Sequence, residues 1–250
     1  MSRRGILFRL RRGLRWFIRI VLVLLVLDLV YLAAIWPDWS ALAKGPVPKS
    51  NFIQTYEAKQ PERGSARLGW EPVALARMPR HVIRAVIVAE DSRFYTHSGF
   101  DLIAIKEALG YNLGRRDAWI GASTISQQTV KNLYLSSSRN PLRKWHELVL
   151  TWGLEHNLRK SRILELYLNI AEFGYGVYGV QAAAKRFYGL DVEQLTLVQA
   201  AELAAALPSP RKDSPLTRSE RFQKRTQRIL EWLAAEQTAS RPANDPSALH

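Results

Sequence analysis

Leu142-Arg143-Lys144-Trp145-His146-Glu147-Leu148-Val149-Leu150-Thr151-Trp152-Gly153-Leu154-Glu155-His156-Asn157-Leu158 carries the clearest periodicity in the chain. On a helical wheel Leu142, Trp145, Leu148, Val149 and Trp152 share one face, and Arg143, Lys144, Glu147, Thr151 and Glu155 form the opposite stripe. Working outward, residues 161–172, 192–207 and 217–235 read as further helices, the last strongly basic. Residues 82–89 are apolar enough for a buried helix or a strand, and the β-branched run Val86-Ile87-Val88 leaves both open. The fold class is therefore mainly α.

The whole chain sets the frame. Its 250 residues fit one domain of ordinary size plus extra segments, and a 47% hydrophobic content supports a real core. With no cysteine, disulfides, thiol chemistry and zinc–thiolate sites are excluded. The net charge of +14 points to an anionic partner: nucleic acid, a lipid surface or a phosphorylated substrate.

Much of that charge precedes an apolar run. Arg3, Arg4, Arg9, Arg11, Arg12, Arg15 and Arg19 all come before the first acidic residue, Asp28. From Trp16 to Trp36 the chain is long and apolar enough to supply the roughly 20 residues that cross a hydrocarbon core. Trp16, Tyr31, Trp36 and Trp39 suit interfacial belts, and Asp28 is the one costly residue within the run. The apolar part is long and no A-x-A site follows it, which favours an uncleaved anchor over a signal peptide. The arginines place the N-terminus in the cytoplasm and the rest outside, which removes nucleic acid from the list of partners. The expected organisation is a cytoplasmic basic tail (1–15), a transmembrane helix (16–36), a stalk (37–70) with an extended piece near residues 51–56, a globular domain (71–235) and a disordered tail (236–250).

Three motifs fail on context. Gly174-Tyr175-Gly176-Val177-Tyr178-Gly179 matches a dinucleotide fingerprint, but a helix precedes it and no βαβ pattern surrounds it. Ser209-Pro210-Arg211-Lys212 lies between prolines, with no room for a transpeptidase domain behind it. His146-Glu147 lacks a second histidine, because Leu150 stands where a zincin needs one.

Chemistry concentrates instead in Glu90-Asp91-Ser92-Arg93-Phe94-Tyr95-Thr96-His97-Ser98-Gly99-Phe100-Asp101, where three carboxylates and a histidine follow an apolar run. Burying such a cluster for packing alone is expensive. Further on stands Gly121-Ala122-Ser123-Thr124-Ile125-Ser126-Gln127-Gln128-Thr129-Val130-Lys131-Asn132-Leu133. Arg143-Lys144-Trp145-His146-Glu147, Lys160-Ser161-Arg162-Ile163-Leu164-Glu165-Leu166-Tyr167-Leu168-Asn169 and the segment 201–210 complete the series.

In this order, over roughly residues 70 to 215, these motifs closely resemble those of the peptidoglycan glycosyltransferases, in their short, membrane-anchored, monofunctional form. Ala122 and Ser126 depart from the family's usual glycine and threonine but keep a small residue and a hydroxyl. The resemblance implies a lysozyme-like helical domain with a small mobile lobe facing the membrane, placed at about residues 102–120. It implies polymerisation of lipid II into β-1,4 glycan strands at the bacterial inner membrane, with inversion and release of polyprenyl pyrophosphate. The catalytic domain would then be periplasmic.

Glu90 matches the family's base, with Asp91 and His97 orienting its loop, and Phe94 reads as packing. Glu147 matches the second essential glutamate. Lys131, Arg139 and Arg143 match cationic positions that contact the pyrophosphate. Ser123, Thr124, Gln127, Gln128 and Asn132 would hydrogen-bond sugar and phosphate, while Glu165 and Asn169 read equally as site residues or as helix–helix contacts. No essential cofactor is implied, and a divalent cation (Mg or Mn) at the pyrophosphate stays open. Partners implied are lipid II, the growing strand, the membrane, penicillin-binding proteins and division or elongation proteins. The competing reading is a lysozyme-like glycan-cleaving enzyme, which has no use for a pyrophosphate pocket.

Overall fold

A computed structural model describes residues 3–59, 67–114, 122–138 and 140–239. The chain divides into two compact units, Met1–Asp38 and Trp39–His250. The first is a single helix, α1 (Arg3–Ala34), long and apolar enough to cross a membrane. Its side chains from Leu14 to Tyr31 are largely exposed.

The second unit is helical. Its elements are α2 (Trp39–Lys44), α3 (Asn51–Ala58), β1 (Gly69–Trp70), α4 (Arg80–Glu90), α5 (Leu102–Gly114), α6 (Ile125–Tyr134), α7 (Pro141–Asn157), α8 (Lys160–Ile170), β2 (Glu172–Gly174), β3 (Val177–Tyr178), α9 (Val180–Tyr188), α10 (Leu197–Ala206) and α11 (Glu220–Ala239). The strands form one small sheet in the order β1-β3-β2, with β1 parallel and β2 antiparallel to β3. The glycine-rich 174–179 stretch is thus a hairpin, as its rejection as a nucleotide loop requires.

The core has two helical layers. In one, α6 packs on α7 and α8, and α8 is buried nearly all round through Ile163, Leu164, Leu166, Tyr167, Leu168 and Ile170. In the other, α10 lies against α4 and α11, its run of alanines allowing close approach. This burial makes residues 82–89 helical despite their β-branched run: Val82, Ala85, Val86, Ile87 and Val88 are all in the core of α4. Asn169, at the end of α8, donates from Nδ2 to Val73 O (2.9 Å) and accepts from Val73 N at Oδ1 (2.8 Å). It is a buried fastener between segments, and Glu165 pairs with Arg162 at 2.7 Å.

Three expectations change. Residues 51–56 are helical rather than extended, because Ser50 caps α3 by accepting from Ile53 N (3.2 Å) and Ile53 and Tyr56 bury one turn apart. Within the expected stalk (37–70), Trp39, Leu42, Ile53 and Tyr56 are buried. The single helix expected over 192–207 is a short 3-10 turn, Val192–Gln194, followed by α10, which Thr196 and Gln199 start with a capping box. The helix expected over 161–172 stops at Ile170, and Glu172 opens β2. The 236–250 tail lies mostly outside the described residues, α11 continuing to Ala239; in the 102–120 lobe, α5 is described and residues 115–120 are not.

The central helix departs from the amphipathic rule. Leu142, Trp145 and Trp152 of α7 are 57%, 47% and 58% exposed, whereas His146, Glu147, Leu150, Thr151 and Leu154 are buried. The carboxylate-bearing stripe faces inward.

Candidate active site

Glu90 is the last residue of α4, and Asp91 caps the helix through its N–H to Ile87 O at 2.8 Å. The negative end of the helix dipole and the surrounding protein both disfavour a charge there. Burial pushes the Glu90 carboxyl above its ordinary range, although Gln128, Arg225 and Lys131 pull the other way. Gln128 donates from Nε2 to Glu90 Oε2 at 2.7 Å, and its Oε1 accepts from Tyr167 OH at 3.3 Å. Burial holds the Tyr167 phenol well above its usual range, so it stays a donor and fixes which way the amide points.

Lys131 follows Gln128 by one turn on α6. Burial lowers its pKa, while the charges of Glu147 and then Glu90 raise it, so the ammonium feels both carboxylates. Glu147 projects inward from α7, only 3% exposed, and accepts from Arg143 Nη1 at 2.7 Å and from Lys144 Nζ. Both cations thus lie against a carboxylate removed from solvent. Two carboxylates of contrasting surroundings therefore act on one lysine: Glu90 biased toward its neutral form, Glu147 bonded to Arg143 and Lys144.

The loop between α4 and α6 is braced from beneath. Asp91 accepts from Ile125 N at 2.9 Å, seating its carboxylate on the N-terminus of α6, and from His97 Nε2 at 2.9 Å. His97 Nδ1 accepts from Gly99 N at 3.1 Å, which assigns the ring proton to Nε2. Gly99 has φ +92°, and a Cβ there would come within 2.9 Å of both Thr151 and Glu155 on α7. Thr124 and Gln127 form the capping box of α6, and Thr124 Oγ1 donates to Gly99 O at 2.7 Å. Phe94 is fully buried, with Lys160 Nζ 4.5 Å above its ring.

The expected residues therefore divide. Glu90, Gln128, Lys131, Arg143 and Glu147 come together. Asp91, His97, Thr124 and Gln127 are buried and brace the loop: Asp91 pairs with His97 and Ile125 N, Thr124 Oγ1 donates to Gly99 O, and Gln127 Oε1 accepts from Thr124 N. Ser123 is exposed at the start of α6 and Asn132 is buried within it. Arg139 lies outside the described residues. Sequence reasoning missed Tyr167, which from α8 bonds the Gln128 amide that holds Glu90, and Arg225 of α11, whose charge favours the ionised form of Glu90.

The donor chemistry does not fit a resident metal. Among the described residues, Asp91, His97 and Asp101 cluster closely enough to ligate an ion. Their donors are committed, however: Asp91 to Ile125 and His97, and Asp101 to Arg93 Nε (2.7 Å) and Ala104 N (2.8 Å). Glu147 is likewise taken by two cations.

The sequence profile of the Transglycosylase family matches residues 60–234. Among the curated relatives, the "Biosynthetic peptidoglycan transglycosylase" of Methylobacillus flagellatus is 40% identical over 200 residues, covering 80% of this chain and 85% of the relative. The protein of the same description from Nitrosospira multiformis is 38% identical over 225 residues, covering 88% and 96%. That from Bordetella avium is 47% identical over 150 residues, covering 58% and 62%. With its motifs in order, its two glutamates acting on one lysine and this extent of similarity, the chain belongs to the transglycosylase family.

Proposed function

We propose that the protein is a peptidoglycan glycosyltransferase of cell-wall synthesis that polymerises lipid II. The observation that carries the reading is Lys131 under the charge of both a base-like Glu90 and a cation-paired Glu147. A sugar hydroxyl is a poor nucleophile near neutral pH, and a carboxyl whose pKa is raised toward working pH is a better base. The acceptor C4 oxygen forms its bond to the donor anomeric carbon while the bond from that carbon to the pyrophosphate oxygen breaks. The hydroxyl proton passes to Glu90, the electron pair leaves with the polyprenyl pyrophosphate, and configuration inverts. Lys131 and Arg143, with Arg139, meet the charge that grows on the leaving group, and Glu147 holds Arg143 in place. Ser123, just before α6, and Asn132, within it, are proposed substrate contacts.

The setting is a membrane. We read α1 as a single-pass anchor with its arginine-rich end in the cytoplasm and the catalytic unit in the periplasm. The outward residues of α7, with Phe100, Leu102 and Ile105, line an apolar surface groove suited to a lipid environment. Tethering confines enzyme and lipid-linked substrate to two dimensions, which raises their effective concentration. Penicillin-binding proteins and division or elongation proteins are the proposed protein partners.

The rival reading, a glycan-cleaving enzyme, needs only water or an internal hydroxyl and leaves Lys131 and Arg143 without a task. Incubation with labelled lipid II and, separately, with finished peptidoglycan tests the choice. Long strands from lipid II are the expected product; fragments from finished peptidoglycan, with no strands, would overturn the proposal.

A further inference from the structure

Arg162, at the first turn of α8, uses three guanidinium nitrogens on three acceptors. Nε donates to Leu42 O at 2.9 Å, Nη2 to Gly45 O at 2.6 Å and Nη1 to Glu165 Oε1 at 2.7 Å. The side chain is only 14% exposed, so these bonds form where water competes poorly. Two of the three acceptors are backbone carbonyls at the C-terminal end of α2, more than a hundred residues away in sequence, where helical carbonyls lack intrahelical partners.

The same segment is shaped to be held. Gly45 N donates to Ala41 O at 2.7 Å, and a Cβ at Gly45 would approach that oxygen to 2.6 Å, so the turn that presents both carbonyls admits glycine alone. Trp39 packs edge-on against Tyr134 at 6.2 Å, Leu42 is buried, and Asn51 Nδ2 donates to Leu135 O at 3.0 Å. Tyr134 and Leu135 close α6, the helix that carries Gln128 and Lys131.

Only residues 35–38 separate the last residue of α1 from the first of α2. With the clasp closed, that short link is the tether. With it open, residues 39–49 join the tether and add roughly 35 Å of reach. Tether length sets how often a bound domain meets a partner confined to the same surface.

We infer that Arg162 is a positioning residue: by clasping the Leu42 and Gly45 carbonyls it holds residues 39–49 on the domain and so keeps short the tether on which the enzyme meets its lipid-linked substrate. The inference rests on the anchor and polymerase readings above. Arg162 touches neither glutamate of the site and takes no part in bond making.

The test uses the full chain with two substrates: lipid II in phosphatidylethanolamine–phosphatidylglycerol vesicles, and a short-chain lipid II analogue in detergent. Arg162→Ala is expected to lose about ten- to a hundredfold in rate in vesicles and to stay within about twofold of wild type in detergent. Tryptic cleavage after Lys44 and Lys49 should quicken. Glu165→Gln, which leaves both carbonyl contacts in place, should show no vesicle-specific loss. A Gly-Ser-Gly-Ser insertion after Asp38 lengthens the tether without touching the domain's packing, and it should reproduce the vesicle-specific loss even if Arg162→Ala folds poorly. Equal losses in both substrates, or no loss from the insertion, overturn the inference. A wild-type chain inactive on both substrates overturns the polymerase reading instead.

Discussion

Gln128 donates to Glu90 Oε2 at 2.7 Å and so stabilises the ionised form of a carboxyl that burial pushes toward its neutral form. Removing this bond with Gln128→Ala should raise the Glu90 pKa further. The acid limb of the pH dependence of kcat/KM, expected above the ordinary glutamate value of 4.5, should then move to higher pH. An unmoved limb would mean that Glu90 is not the group titrating.

Glu90→Gln should cost about three powers of ten in polymerisation rate, within the range for lost acid–base catalysis. The measurement is strand formation from labelled lipid II. An active Glu90→Gln enzyme would sink the assignment of the base.

The same substitution should stabilise the fold. A carboxyl whose pKa is higher folded than unfolded contributes stability fully present below its unfolded pKa and lost as pH rises through the folded pKa. Wild type therefore carries a cost at neutral pH that glutamine does not. The Tm difference between Glu90→Gln and wild type should grow from about pH 4 to pH 8, and a difference that shrinks would contradict the buried-carboxylate account.

Lys131→Ala should lower kcat/KM by about two to three powers of ten, the usual cost of removing one preorganised charge from a transition state. Its circular dichroism should match wild type. Unchanged kinetics would remove Lys131 from the leaving-group pocket.

Asp91→Ala should act through stability. It strands Ile125 N and frees His97, which should cost about 1–3 kcal/mol, read from the urea midpoint. Loss of activity at full stability would argue instead for a direct part in the reaction.

Reading the chain alone recovers the helical class, because helical period is a local property, and motif spacing points to the two glutamates that the fold then buries near Lys131. It reads Thr124 and Gln127 as substrate contacts and misses their capping box, although S/T-x-x-Q before an apolar run is itself a helix-start signature. The extended reading of residues 51–56 fails because Ser50's capping role and the burial of Tyr56 depend on neighbours far along the chain. Tyr167 and Arg225 are invisible for the same reason: each acts on Glu90, one through Gln128 and one through its charge, only once α8 packs on α6 and α11 on α4. A helical wheel separates the two faces of α7 but carries no information about which one meets the core.

That last ambiguity has a practical side. With Leu142, Trp145 and Trp152 turned outward, cutting away α1 does not yield an ordinary water-soluble protein. A chain beginning at Trp39 still presents tryptophans and leucines to solvent, so purification without detergent invites self-association. Charged replacements at Trp145 and Trp152 should cure the stickiness while leaving the Glu147 side of the helix intact.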